Sequence, residues 1–487
     1  MRLLRRSFLT ALAASAITPV LPGSNGAWAE TPAETAAADP GSFTKDGSKN
    51  RFFRGLDAGL AFYRDIEAQG GWPAVPTGKT LAKGVRSPAV PLLRTRLSMT
   101  GDYIGTETDS DLFDGELREA VIAYQNRNGM EADGAAGPKT LADINIPVAT
   151  RIKQMEINRE RWNRMPASLG EVFVLVNMAG YELDVVEGEK TVLTMKVIVG
   201  KNFTKTPMFS DTIQYIEFNP YWNVPRSIAT KELVPEYATK GLADAERQGF
   251  EVKRGDEVLP MSAINWQDYV GAEKLPFLIR QRPGPANALG EMKFMFPNKN
   301  NVYLHDTNQR HLFARTKRAF SHGCVRVEKP HELASYLLAP NTAKTGRDWS
   351  LPAVQAVVDG KALEAVPLKR KVPVHLAYMT AWMDERGYIQ FREDIYGRDA
   401  ILQSELYPDG QSGGDPFAEE KLLAKREADA IARAELAAQS EAELEAFQQG
   451  AEVRTGTVPA PDDLNPLPRG DVLGDMIDGQ SLPPLTD

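Results

Sequence analysis

At 487 residues the chain exceeds what one hydrophobic core usually supports, so several domains are expected. Hydrophobic residues make up 42% and charged residues 25%, ordinary proportions for a soluble globular protein. The net charge of −8 argues against a nucleic-acid binder, which would normally present a basic surface, so no nucleic-acid partner is expected.

The first segment, MRLLRRSFLTALAASAITPVLPGSNGAWAE, sets basic residues ahead of a short apolar run and then the small-x-small pattern Ala27-Trp28-Ala29. It reads as a secretory signal peptide over 1–29, too short in its apolar part to span a membrane. Arg5-Arg6 followed by Ser7-Phe8-Leu9 resembles a twin-arginine signal, the alternative being an ordinary Sec signal. Export to the periplasm is the expectation. No later segment approaches the ~20 apolar residues of a membrane span, so no span is expected in the mature protein. Residues 30–50, rich in Ala, Thr, Gly, Ser and Asp, read as a flexible leader.

Helical spacing of apolar residues begins in FFRGLDAGLAFYRDIEAQGGW, and a second helix is expected within 152–164. Together, 51–87 and 147–168 are assigned to a helical scaffold. Between them, 88–146 form a compact unit with Leu93, Leu97, Leu117, Ala120, Val121, Tyr124 and Leu141 on helical faces. Ala120-Val121, Tyr124-Gln125, Asn128-Gly129-Met130, Asp133-Gly134, Gly137 and Thr140-Leu141 resemble the peptidoglycan-binding domain, a small three-helix module. A helical spacer without binding function is the alternative.

The period then changes. EVFVLVNMAGYELDVVEGEKTVLTMKVIVGK gives three strand-like runs, and further short runs recur at 213–224, 277–280, 293–296 and 301–305. A β-rich domain is assigned to 169–404, interrupted at about 228–272 by a charged segment expected to be a helical cap on one face. Residues 405–487 are expected to be an Ala/Glu-rich helix, within 416–449, followed by a disordered tail. The fold class is therefore multidomain α+β.

Cys324 is the only cysteine, and a secretory address makes a lone thiol notable because no disulfide partner exists in the chain. A small buried hydrophobe is the plain explanation. The alternative is a nucleophile, since a thiolate attacks and an imidazole can take the thiol's proton. Three of the five histidines, His305, His311 and His322, lie within the twenty residues ending at Cys324. A zinc site from these groups is disfavoured because neither C-x-x-C nor H-x-x-x-H spacing is present.

His305-Asp306-Thr307, followed after a gap by Ser321-His322-Gly323-Cys324-Val325-Arg326, resembles the signature of the L,D-transpeptidase catalytic domain. NPYWNVPRSI (219–228), RQRPGPANALGEMKFMFPN (280–298) and DERGYIQFREDIYG (384–397) extend the similarity to the large periplasmic subgroup of that family, with its peptidoglycan-binding domain and capping insert. The resemblance implies Cys324 as nucleophile and His305 as general acid/base, with the imidazole oriented through the backbone carbonyl of Asp306. An imidazolium beside the thiol would keep a thiolate available. Ser321, His322 and Gly323 would shape the loop, whose N–H groups would serve the oxyanion hole. Arg326 would hold the loop or a substrate carboxylate. Tyr221, Trp222, Asn223 and Tyr303 are candidate cleft residues; His311 and His331 are bystanders.

The implied reaction joins peptidoglycan stem peptides: a donor tetrapeptide loses D-Ala to form a cysteinyl thioester, and an acceptor stem relieves it. No cofactor or metal is implied, and acylation by carbapenems is. The same chemistry with water or a lipoprotein lysine as acceptor would give a carboxypeptidase, cross-link hydrolase or anchoring enzyme. An inert wall-binding protein is the remaining alternative.

Overall fold

The computed structural model describes residues 51–407. The expected signal peptide, leader, Ala/Glu-rich helix and tail lie outside the described residues. Among these residues, four hydrophobic clusters divide the molecule.

The scaffold is a helix pair. Arg51–Ala68 buries Phe52, Phe53, Leu56, Leu60, Tyr63 and Ile66, the stripe its three- and four-residue spacing requires, against Val148–Asn163. Phe52 stacks on Trp162 with ring centroids 5.2 Å apart. Between the two scaffold helices sit the three helices of the small module, Ala89–Ser98, Gly115–Arg127 and Pro138–Ile144. Asp114 caps the second by accepting from the Leu117 amide, and Pro138 opens the third, where its missing N–H costs nothing. Leu93, Leu97, Leu117, Val121, Tyr124 and Leu141 are fully buried in its core.

The largest cluster lies inside a nine-stranded sheet. Its order runs Ala319–Ser321, Lys190–Gly200, Val325–Val327, Leu304–His305, Met292–Met295, Phe209–Phe218, Glu364–Ala377, Val172–Asn177 and Glu182–Glu187. Glu182–Glu187 also pairs with Lys190–Gly200, so the sheet closes on itself around the core. The helices Pro330–Thr345 and Leu351–Asp359 supply Leu333, Leu337, Leu338 and Val354 to that core.

Two assignments change. The hairpin Ala381–Met383 and Ile389–Phe391 belongs with the scaffold, since Ala381, Ile389 and Phe391 bury against its helices rather than in the sheet's core. The insert is mixed rather than helical, and its own core runs from Val224 to Ile279. A four-stranded antiparallel sheet, ordered Trp222–Asn223, Leu278–Gln281, Phe250–Arg254 and Glu257–Leu259, accompanies the short helices Val234–Lys240 and Ala243–Arg247. The charges of Phe250–Arg254 masked a period of two: Phe250 and Val252 are buried while Glu251 and Lys253 turn outward.

Module and hairpin are fastened through Arg127. Its guanidinium forms a two-pronged bond with Asp102 at 2.8 and 2.6 Å and donates its remaining arm to the Ile389 carbonyl at 2.8 Å. Arg392 returns a bond from the hairpin to the Arg127 carbonyl at 2.6 Å. Because Arg127 and Asp102 are both buried, removing one leaves an uncompensated charge. Asp102→Asn is expected to lower stability in urea unfolding by about 3–5 kcal/mol, and Asp102→Leu/Arg127→Met to recover most of that loss.

Candidate active site

The site is set by the pairing of two short strands. Leu304–His305 runs antiparallel to Met292–Met295, with His305 opposite Lys293, and parallel to Val325–Val327, with Leu304 opposite Val325 and His305 opposite Arg326. Side chains alternate between faces. Leu304 and Val325 therefore enter the core, both fully buried, while Tyr303, His305, Cys324 and Arg326 share the other face. That face lines a cavity of about 240 Å³, covered by Trp222, Ile228, Glu232 and Leu233 of the insert.

Cys324 precedes its strand in a tight loop. Its Sγ lies 3.8 Å from the Asn301 carbonyl oxygen, and Asn301 adopts a positive φ of 47° that asparagine tolerates better than most residues. Gly323 has φ of 125°, a conformation that side chains rarely adopt. Ser321 Oγ accepts from the Gly323 amide at 3.2 Å and donates to the Cys324 carbonyl at 2.5 Å. Behind the loop, the segment after Lys190–Gly200 supplies further anchors: the Lys201 amide and Thr204 Oγ1 donate to the Ser321 carbonyl at 2.9 and 3.1 Å. Thr206 Oγ1 donates to the Gly323 carbonyl at 2.7 Å.

His305 is only 5% exposed, and its Nδ1 is buried with no hydrogen-bond partner among the described residues. Burial, reinforced by the nearby charges of Arg326 and Lys293, pushes its pKa down to about 3; backbone groups of Asp306 and Leu289 pull weakly the other way. Burial and these cations favour the neutral imidazole, whereas the expectation was an imidazolium beside the thiol. The Asp306 side chain makes contacts the sequence did not suggest. Its buried carboxylate accepts from the Glu291 amide at 2.9 Å and from Arg310 Nη2 at 2.8 Å, tying the turn before Met292–Met295 to the end of the histidine strand. Gly290 permits that approach: a Cβ there would lie 2.3 Å from Asp306 Oδ2.

The remaining candidates separate. His322 turns from the loop to the insert, its Nε2 2.8 Å from Glu232 Oε1 on the π-helical turn Ala229–Leu233. Arg326 Nη1 donates to Gln309 Oε1 at 2.9 Å. Trp222 and Tyr303 line the main cavity and also an adjoining one of about 120 Å³, where Tyr221 and Asn223 join them. Tyr221 sits beneath the Arg280 guanidinium at 4.4 Å, and the ring of Tyr303 lies 5.6 Å from that of His305. His311 is exposed on the 3-10 turn Arg310–Ala314, and His331 lies 3.4 Å from Glu291; neither lines the cavity. No group of three or more His, Cys, Asp or Glu among the described residues is placed to hold a metal. Sequence reasoning missed Glu232, Asn301 and Thr206, because a surface carboxylate, a loop amide and a threonine carry no motif of their own.

Comparison with known proteins agrees with this architecture. Residues 171–361 match the L,D-transpeptidase catalytic domain, and residues 86–144 the "Putative peptidoglycan binding domain". A Haemophilus influenzae protein named "Putative L,D-transpeptidase" is 33% identical over 247 residues, 51% of this chain and 48% of its own length. The chain thus spans about half the length of that relative. Solved L,D-transpeptidases from Xylanimonas cellulosilytica and Stackebrandtia nassauensis share 16% and 17% identity. Each alignment covers 62% of this chain, with 99% and 97% of the solved chains and TM-scores of 0.19 and 0.23. Residues 171–361 are thus similar to the L,D-transpeptidase catalytic domain, and residues 86–144, ahead of them, to the "Putative peptidoglycan binding domain".

Proposed function

We propose that the protein is a periplasmic enzyme that cross-links peptidoglycan stem peptides through a thioester on Cys324. The observation that carries this reading is that Cys324, in the loop entering Val325–Val327, and His305, on the adjacent parallel strand, line one cavity together with residues of the insert.

Cys324 Sγ attacks the carbonyl of the third stem residue of a donor tetrapeptide, and its proton passes to the neutral His305 during attack. The tetrahedral intermediate collapses as the D-Ala amine takes that proton and leaves. The side-chain amine of a second stem then attacks the thioester, His305 accepts the amine's proton, and the thiol is regenerated. The module at 86–144 holds the enzyme on its polymeric substrate, and the insert limits access of water to the acyl-enzyme. Purified protein is expected to convert tetrapeptide muropeptides into peptide-linked dimers, and Cys324→Ala to abolish them. Unaltered dimer formation by that variant would remove Cys324 from the role. A carbapenem is expected to add one mass increment, mapping to Cys324.

A neutral resting His305 has a separate consequence. The unfolded chain takes up the imidazole proton near 6.5 and the folded chain only near 3, so the unfolded state binds more protons between those values. This group therefore lowers stability as pH falls from about 6.5 toward 3. Nitrogen-15 histidine spectra are expected to keep His305 neutral down to pH 4.5, and a midpoint near 6.5 would contradict the assignment.

A further inference from the structure

Thr206 is fully buried, lies outside both cavities at the site, and is too far along the chain to belong to any catalytic motif. Its hydroxyl is nonetheless fully committed. It accepts from the Gly200 amide at 2.9 Å and donates to the Gly323 carbonyl at 2.7 Å. The backbone on either side of that hydroxyl bond is held as well: Tyr396 OH donates to the Gly200 carbonyl at 2.6 Å, and Arg398 Nη2 donates to the Thr206 carbonyl at 2.9 Å. Gly200 cannot be widened, because a Cβ there would lie 2.0 Å from the Thr204 carbonyl oxygen.

The consequence follows from peptide planarity. In a trans peptide the C=O and the following N–H point in opposite directions. Thr206 draws the Gly323 carbonyl toward the interior, so the Cys324 amide points the other way, to the side on which Gly323 and Cys324 line the cavity. Ser321 engages the neighbouring Gly323 amide and Cys324 carbonyl, and Thr206 engages the carbonyl of the peptide between Gly323 and Cys324. We infer that Thr206 is a positioning residue that fixes the Cys324 amide as an oxyanion-hole donor for the reaction at Cys324. The inference rests on the nucleophile assigned under Proposed function.

The test compares two reactions of one thiol in the full chain. Acylation by a carbapenem passes through an oxyanion, whereas alkylation by iodoacetamide displaces iodide from a saturated carbon and needs no such donor. Thr206→Val is expected to slow acylation about a hundredfold, the usual loss for one oxyanion donor, while alkylation stays within about twofold. Thr206→Ser, which keeps the hydroxyl, is expected to restore acylation. Equal slowing of both reactions, or of neither, overturns the inference, because a general loosening of the loop would not separate them. A second measurement does not depend on the valine variant folding. In the acylated wild-type protein, the thioester carbonyl stretch is expected at lower wavenumber than after denaturation of the same adduct; an unmoved band overturns the inference. Wild-type protein that alkylates at Cys324 but never acylates would instead overturn the nucleophile assignment, and this inference with it.

Discussion

The register between two very short strands carries the site. His305 stands opposite Arg326, and Leu304 opposite Val325, so one step of pairing decides which side chains enter the core and which face the cavity. A slip by one residue would bury the imidazole among Leu333, Leu337 and their neighbours and expose two aliphatic side chains. Strands of two and three residues cannot hold such a register alone. It is imposed by neighbours: Met292–Met295 and Lys190–Gly200 on either side, and the Asp306 carboxylate at the strand's end.

The same packing explains the electrostatics. Parallel pairing sets a guanidinium beside the imidazole, and antiparallel pairing sets an ammonium there. With little water to screen them, two cations and burial hold His305 in the form that accepts a proton. Arg326 is kept in place by its bond to Gln309.

Much of this was legible in the chain. The change from three- and four-residue spacing to β-rich runs after Pro166 marked the catalytic domain. The buried stripe of the module, from Leu93 to Leu141, follows its helical periodicity directly. Cys324 and His305 stood out because a lone thiol and a nearby histidine have few uses in a chain expected to be exported. What could not be read was set by partners distant in sequence. The hairpin around Gly387 resembles any strand pair, and only contact with Tyr63 and its neighbours assigns it to the scaffold. The strand Phe250–Arg254 pairs with Leu278–Gln281, which its own charged sequence does not announce. His322 reads as part of the catalytic loop, yet its ring meets a glutamate ninety residues earlier.

The seam around Arg127 bears on how this architecture can be taken apart. The small module is spliced between two helices that pack on each other, and it is pinned to a hairpin that follows it by more than two hundred residues. It is not a bead on a string. Cutting it away would remove the Arg127 guanidinium from the Ile389 carbonyl and the Arg127 carbonyl from the Arg392 guanidinium, on the flank of the scaffold cluster. A transplanted module would need the matching hairpin to keep these bonds, so the two segments form one structural unit despite their separation in sequence.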